Sequence, residues 1–248
     1  MAFQRSSKPR LSIRKRLAQV ELEPPWGLLG VTNALSVLFL AVILLGTTVS
    51  TMLSGGKLDY FWLVFGWTLG NALVIAYVWV SRHRSQEDWQ ALALKGDKSS
   101  IPLILLISFG MRIAIDLIMA SLSGSFSVAP EVSGLVDSPL VVWLLAIVFM
   151  VFIRPIAEEL VFRGIVLPYL RFQFKAWLGL FLSALIYGLL TYLIYGSGYT
   201  ILIGLIAPLL LGLYYGAVRV ITGSTSMAIL AHMASAFFAI LTAFFLQN

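Results

Sequence analysis

Residues 140–163 read LVVWLLAIVFMVFIRPIAEELVFR, and the prediction of the fold starts from this stretch. An unbroken apolar run leads into Arg154 and then into two adjacent glutamates, Glu158 and Glu159. The whole chain is similarly apolar, with 60% hydrophobic and 11% charged residues and a mean hydropathy of +0.95, whereas a soluble domain has about 25% charged residues. The composition therefore predicts an integral membrane protein, in which an ionisable side chain is expensive and marks a functional site.

Seven apolar runs approach the roughly 20 residues that a membrane-spanning helix needs. They cover residues 26–52, 60–80, 101–122, 139–153, 176–195, 199–218 and 226–246. A further helix over residues 156–171 carries the two glutamates, and Pro155 together with Arg154 predicts a break before it. The sequence thus predicts an all-α, polytopic transmembrane bundle of seven to eight helices.

The basic residues predict the orientation of the bundle. Segment 81–100 is rich in Lys and Arg, whereas segment 123–138 contains neither. Because cytoplasmic loops carry the excess of Lys and Arg, we expect the N-terminus and segment 81–100 to be cytoplasmic and segment 123–138 to be outside. The same alternation predicts cytoplasmic positions for these residues: Arg154, Arg163, Arg171, Lys175 and Arg219.

Three parts of the chain follow from these patterns. Residues 1–25 form a basic cytoplasmic arm, expected to be a solvated tail near anionic lipid, and not a nucleic-acid-binding segment. Residues 26–137 form N-terminal transmembrane helices, and residues 138–248 form the core with the two glutamates. The membrane is predicted to be a plasma membrane or a thylakoid-type internal membrane. The absence of cysteine excludes a disulfide, a thiolate nucleophile and a cysteine metal site.

The two glutamates have different surroundings on a helix. Glu159 and Arg163 are four residues apart, a spacing that favours an ion pair with the acid on the N-terminal side. Glu158 points about 100° away, and no ion-pair partner is predicted for it from the sequence. A desolvated carboxylate without a partner is a candidate general base. A charge cluster at a helix start is the alternative interpretation.

Other polar groups also fall within apolar runs. Arg112 and Asp116 are four residues apart in the third span, which predicts a structural ion pair. Alternatively, they line a polar cavity shared with Glu158. Several tyrosines are candidates to supply hydroxyl groups around the glutamates: Tyr187, Tyr192, Tyr195, Tyr214 and Tyr215.

Two later segments give the glutamate motif a context. They are SALIYGLLTY at 183–192 and PLLLGLYYGAVRVITGSTSMAILAHMASA at 208–236. With the EExxxR pattern of Glu158, Glu159 and Arg163, they resemble the CAAX protease and bacteriocin-processing (CPBP, or Abi) family of intramembrane proteases. Its signature continues with FxxxH and HxxxN on later helices. The resemblance implies a CAAX-protease-like helical core over about residues 138–246.

The resemblance assigns roles to individual residues. It implies that Glu158 activates the attacking water, that Glu159 and Arg163 form a supporting pair, and that His232 is the first residue of HxxxN. Two positions depart from the signature. Thr191 stands in place of the FxxxH histidine, and Ala236 stands in place of the asparagine.

Thr191 and Ala236 are expected to lower the rate of peptide hydrolysis. Losing an oxyanion donor costs about 10²–10³ in rate, and losing a general base about 10²–10⁴. A zinc site is also hard to build, because the chain has only two histidines, His83 and His232. We therefore expect no cofactor and no metal.

Two functions of different class follow. The first is a protein with the protease-like fold that has lost proteolysis and acts as a scaffold, assembly factor or chaperone for other membrane proteins. The second is a divergent glutamate-dependent intramembrane endopeptidase, related to CAAX prenyl proteases, with Glu158 as base and membrane-embedded peptides as substrates. A transporter is a third, more distant interpretation. In either of the first two cases Glu158 is expected within hydrogen-bond or water-bridged reach of His232.

Overall fold

The computed structural model describes residues 12–56, 59–83, 86–123, 135, 138–195 and 201–246, and these contain helices but no strand. Several basic and acidic residues used for the orientation lie outside the described residues, among them Arg5, Lys8, Arg10, Lys57, Arg84, Glu131 and Asp137. The helices are α1 (Ile13–Ala18), α2 (Gly27–Leu53), α3 (Tyr60–Arg82), α4 (Gln86–Ala91), α5 (Ile101–Ser123), α6 (Leu140–Gln173), α7 (Ala176–Tyr195), α8 (Ile201–Thr222) and α9 (Thr225–Leu246).

Seven of these helices are long and apolar enough to cross a membrane: α2, α3, α5, α6, α7, α8 and α9. They agree with the seven apolar runs of the sequence to within a few residues at most ends. The prediction of an all-α polytopic bundle is therefore confirmed. The chain is an integral multi-pass membrane protein.

Helix α6 corrects one expectation about the bundle. The predicted break at Pro155 is absent, and one helix runs continuously from Leu140 to Gln173. Two stretches of it, Val148–Ile153 and Leu160–Val166, are wound as π-helix. Each ends shortly before a proline, Pro155 or Pro168. Because proline lacks an N–H and crowds the carbonyl four residues earlier, the wider π-turn lets the helix continue past it.

The second half of α6 forms the centre of the bundle. Every residue from 157 to 168 is buried, and the helix packs against α2, α3, α7, α8 and α9. Helices α2 and α3 form a tight pair, in which α3 brings Gly66 and Gly70 against the α2 backbone. Helix α5 packs on α9 and α8. The two glutamates thus lie in a fully buried stretch of α6.

The described part of the N-terminal arm contacts the bundle through Arg171 and Arg16. Arg171, only 1% exposed, donates to the carbonyl of Leu17 at 3.3 Å and to that of Ala176 at 2.9 Å. It also lies 3.6 Å from the carboxylate of Glu21. The guanidinium of Arg16 in turn donates to the carbonyl of Ile221. Arg171 therefore links the segment that begins at Ser12 to the end of α6, while most side chains of this segment are exposed.

Candidate active site

Glu159, Arg163 and His232 form a buried cluster between α6 and α9. The Nδ1 atom of His232 lies 2.9 Å from Glu159 Oε1 in a hydrogen bond. The Nε atom of Arg163 lies 3.0 Å from Glu159 Oε2, an ion pair whose angle falls outside hydrogen-bond geometry. Arg163 also donates through Nη2 to the carbonyl of Gly212 at 2.8 Å, which ties α8 to the cluster. The predicted Glu159–Arg163 ion pair is confirmed.

Aromatic rings enclose this cluster. The ring of Tyr215 is stacked on the imidazole of His232, with centroids 4.6 Å apart. The Arg163 guanidinium lies 4.5 Å from the ring centroid of Tyr187, in cation–π contact. Tyr187 also meets His232 edge to face at 6.3 Å. Two of the tyrosines expected to supply hydroxyls therefore contribute ring faces to the site.

Glu158 belongs to a second polar group. Its Oε1 accepts a hydrogen bond of 2.9 Å from the Nε atom of Arg154, one helical turn earlier. The Arg154 guanidinium lies 4.0 Å from the ring centroid of Tyr195 on α7. The hydroxyl of Tyr195 accepts a 3.3 Å hydrogen bond from Asn71 on α3. This group draws α3, α6 and α7 together.

The described hydrogen bond of His232 is to Glu159. We expected Glu158 within hydrogen-bond or water-bridged reach of His232, and this expectation stays a prediction. Adjacent residues on α6 point about 100° apart, and Glu159 is on the side that faces α9. Glu159 therefore contacts His232 in addition to its pair with Arg163.

The pair of Arg154 with Glu158 was not predicted. We expected Arg154 to mark a membrane edge, and in the structure its side chain is buried and paired with Glu158. The sequence contained a signal for this contact, because Arg154 and Glu158 have the same four-residue spacing as Glu159 and Arg163. The contact of Asn71 had no such signal, since it depends on how α3 packs against α7.

The two positions that depart from the family signature lie on helices that carry residues of the site. Thr191 is buried on α7, one helical turn beyond Tyr187 and one turn before Tyr195. Ala236 is half-buried on α9, one turn beyond His232. Ser235, next to it, donates to the carbonyl of Ala231 at 3.0 Å. At neither position does the residue type provide an imidazole or a carboxamide.

Some buried polar atoms of the site have no hydrogen-bond partner in the protein. They include Glu158 Oε2, Arg163 Nη1 and, beside Tyr195, Asn71 Oδ1. A buried polar atom without a partner costs free energy, and such atoms in folded proteins call for an explanation by water, a ligand or a functional role. Glu158 thus has one carboxylate oxygen held by Arg154 and a second one available.

The intramembrane pair on α5 is separate from the contacts described so far. Arg112 Nε lies 3.0 Å from the carboxylate of Asp116, as the spacing predicted. The two side chains are 12% and 21% exposed, so the pair is less enclosed than those on α6. One turn before Arg112, Ser108 shares a 2.8 Å hydrogen bond with the hydroxyl of Tyr214.

An apolar groove opens beside the site between α3, α6 and α9. Its volume is about 390 Å³, and its lining is almost entirely apolar. Ile156 and Leu160 contribute from α6, close in sequence to the two glutamates, and Met233 contributes from α9 next to His232. Within the described residues, no group of three or more His, Cys, Asp or Glu side chains is placed to hold a metal ion.

The chain is a membrane-embedded helical bundle of seven spans, with buried carboxylate and guanidinium groups on its central helix α6 and a buried imidazole on α9. Residues 140–238 match the family described as type II CAAX prenyl endopeptidase Rce1-like. This segment includes both glutamates, Arg163 and His232, so the family resemblance drawn from the motifs is confirmed for it. Comparisons with curated proteins and with solved structures give no match.

Proposed function

We propose that this CAAX-protease-like protein has lost peptide hydrolysis and acts as a scaffold or assembly factor for other integral membrane proteins. The observation that carries the proposal is the pair of substitutions Thr191 on α7 and Ala236 on α9. The family resemblance implies a histidine and an asparagine at these positions.

The chemistry of the two residues supports a loss of hydrolysis. Threonine can hydrogen-bond a water molecule, but it cannot take up the proton that water releases near neutral pH. Alanine provides no donor for a developing oxyanion. Removal of one such donor costs about 10²–10³ in rate, and removal of a general base partner about 10²–10⁴. Together these losses would leave little of a typical enzymatic acceleration.

The contacts of the remaining polar groups also support a loss of hydrolysis. His232 binds Glu159 through Nδ1, and Glu158 is paired with Arg154. For Glu158 to take a proton from water, its ion pair with Arg154 would have to weaken and leave a guanidinium in a buried place. Breaking a buried pair in this way is costly. The polar groups of the site therefore favour a structural role.

One observation favours the alternative function, a divergent glutamate-dependent intramembrane endopeptidase. The Oε2 atom of Glu158 is buried and has no hydrogen-bond partner in the protein. It could accept a hydrogen bond from an attacking water. In that case Glu158 would act as base, His232 would stabilise the oxyanion, and Thr191 would orient the water.

Restoring the two family residues tests the loss of hydrolysis. The double variant Thr191→His with Ala236→Asn should gain cleavage of co-reconstituted membrane peptides, including peptides that end in a prenylated CAAX sequence. The same double variant carrying Glu158→Gln is the matched control and should be inactive. Cleavage by the wild type as fast as by the double variant would contradict the proposal.

The scaffold role needs a separate test. Affinity purification of the full chain from its native membranes should recover specific integral membrane proteins in amounts comparable to the bait. Any fall in recovery in the Glu158→Gln variant should be matched by a fall in its stability, because the proposed role does not use the carboxylate as a base. A wild-type protein that recovers no membrane protein above the level of an unrelated multi-pass bait would overturn this role.

A further inference from the structure

We propose that Tyr195 is a positioning residue for Glu158, acting through the guanidinium of Arg154. The proposal goes beyond the proposed function, because it concerns how the carboxylate is held and applies whether or not the site hydrolyses peptides. Its test reads the carboxylate directly, so the two proposals can fail independently.

The first step is the contact between Tyr195 and Arg154. The guanidinium carbon lies 4.0 Å from the ring centroid, closer than any other arginine–aromatic contact described in the structure. Both side chains are buried, with Arg154 5% and Tyr195 4% exposed. A cation–π contact is stronger when both partners are removed from water. The ring therefore limits where the guanidinium can lie.

The second step is the contact between Arg154 and Glu158. With the guanidinium on the ring, Nε donates to Oε1 of Glu158 at 2.9 Å. The other oxygen, Oε2, is left without a protein partner. An arginine side chain without the ring would lose more rotamer freedom in holding this geometry. Tyr195 thereby determines which oxygen of Glu158 is engaged and which is available.

The third step is the anchoring of the ring itself by α3. Asn71 donates to the Tyr195 hydroxyl at 3.3 Å, and Asn71 donates also to the carbonyl of Trp67 at 2.9 Å. The ring of Trp67 meets that of Tyr195 edge to face, with centroids 5.1 Å apart. Both α3 residues lie outside residues 140–238, the segment that matches the Rce1-like family. The N-terminal helices therefore take part in building the site.

Infrared spectroscopy of the full chain in lipid nanodiscs tests this inference. The spectrum of each protein is compared with that of the same protein carrying Glu158→Gln, so that the difference isolates the carboxyl bands of Glu158. Tyr195→Leu removes the ring and should shift these bands, because the guanidinium is no longer held against Oε1 of Glu158. Tyr195→Phe keeps the ring and should leave the bands where they are in the wild type.

The comparison between these variants separates positioning from general packing. Tyr195→Met fills a similar volume without a ring face and replaces Tyr195→Leu should the leucine variant not fold. Arg154→Gln should give the largest change in the infrared bands of Glu158, because it removes the ion pair itself. Glu158 bands in Tyr195→Leu or Tyr195→Met at the same positions as in the wild type would overturn the proposal. So would Glu158 bands in Tyr195→Phe that are shifted as far as those of the non-aromatic variants.

Discussion

At the scale of single residues, the site consists of two ion pairs on one helix, each with its own surroundings. Glu159 and Arg163 are fully buried and are joined by His232 from α9. Glu158 pairs with Arg154, whose guanidinium lies against the ring of Tyr195 on α7. Taking charges out of water is expensive, and removing one partner of a buried pair strands the other. The first pair should therefore be a main determinant of stability.

Glu159→Gln should lower the free energy of unfolding by about 3–5 kcal/mol, because it leaves the Arg163 guanidinium buried without its counter-charge. Unfolding by a denaturing detergent, followed by circular dichroism, measures the change. Glu21→Gln is the control, since Glu21 lies outside the spans, is 29% exposed beside Arg171, and its replacement should cost no more than about 1 kcal/mol. An equal decrease in the free energy of unfolding of the two variants would show that burial of an ion pair does not determine its contribution to stability.

The site could be predicted from the sequence only in part. The four-residue spacing correctly paired Glu159 with Arg163, and the same spacing would have paired Arg154 with Glu158. The choice of His232 between two adjacent carboxylates could not be predicted, because it depends on the rotation of α9 relative to α6. The stacking of Tyr195 on Arg154 likewise depends on tertiary packing, which periodicity does not describe.

At the scale of helices, close backbone contacts decide how the spans fit together. On α3, Gly66 and Gly70 form a GxxxG pattern that faces α2. A Cβ atom on Gly66 would lie 2.5 Å from the Leu45 carbonyl oxygen, and one on Gly70 would lie 2.7 Å from that of Ala41. Small residues at this spacing let two membrane helices approach closely. The spans could be predicted from their length and hydropathy. The continuity of α6 could not, because its π-turns accommodate the two prolines without a break in the helix.

Gly66→Ala and Gly70→Ala should each lower the free energy of unfolding by about 1–3 kcal/mol, the usual cost of overpacking. The added methyl group meets backbone atoms of α2, which cannot move aside as a side chain can. Gly110→Ala on α5 is the matched control, since a Cβ there has no neighbour within 4 Å. Its stability should be unchanged or slightly higher. If the α3 variants were as stable as Gly110→Ala, the close α2–α3 contact would be in doubt.

At the scale of the whole molecule, the spans, the basic loops and the docked N-terminal segment suggest one orientation. Arg171 holds the carbonyls of α1 near the last turn of α6, so the arm lies at the same end of the bundle as the α6–α7 turn. Basic residues concentrate at cytoplasmic ends. This end is therefore predicted to face the cytoplasm.

The chain has no cysteine, so single introduced cysteines can report the orientation without interference. Lys98→Cys and Gln173→Cys should react with a membrane-impermeant maleimide only after the membrane of an intact cell or vesicle is opened. Ser138→Cys, before α6, should react from outside without opening. The reverse pattern would show that the bundle is inserted the other way.

The central claim is that this CAAX-protease-like bundle has lost hydrolysis at Glu158. The most direct measurement compares the purified wild type with Glu158→Gln for cleavage of prenylated and non-prenylated membrane peptides in the same liposomes, with products identified by mass spectrometry. We predict no difference between the two proteins above the uncatalysed background. Cleavage by the wild type that Glu158→Gln abolishes would contradict the claim and establish the endopeptidase.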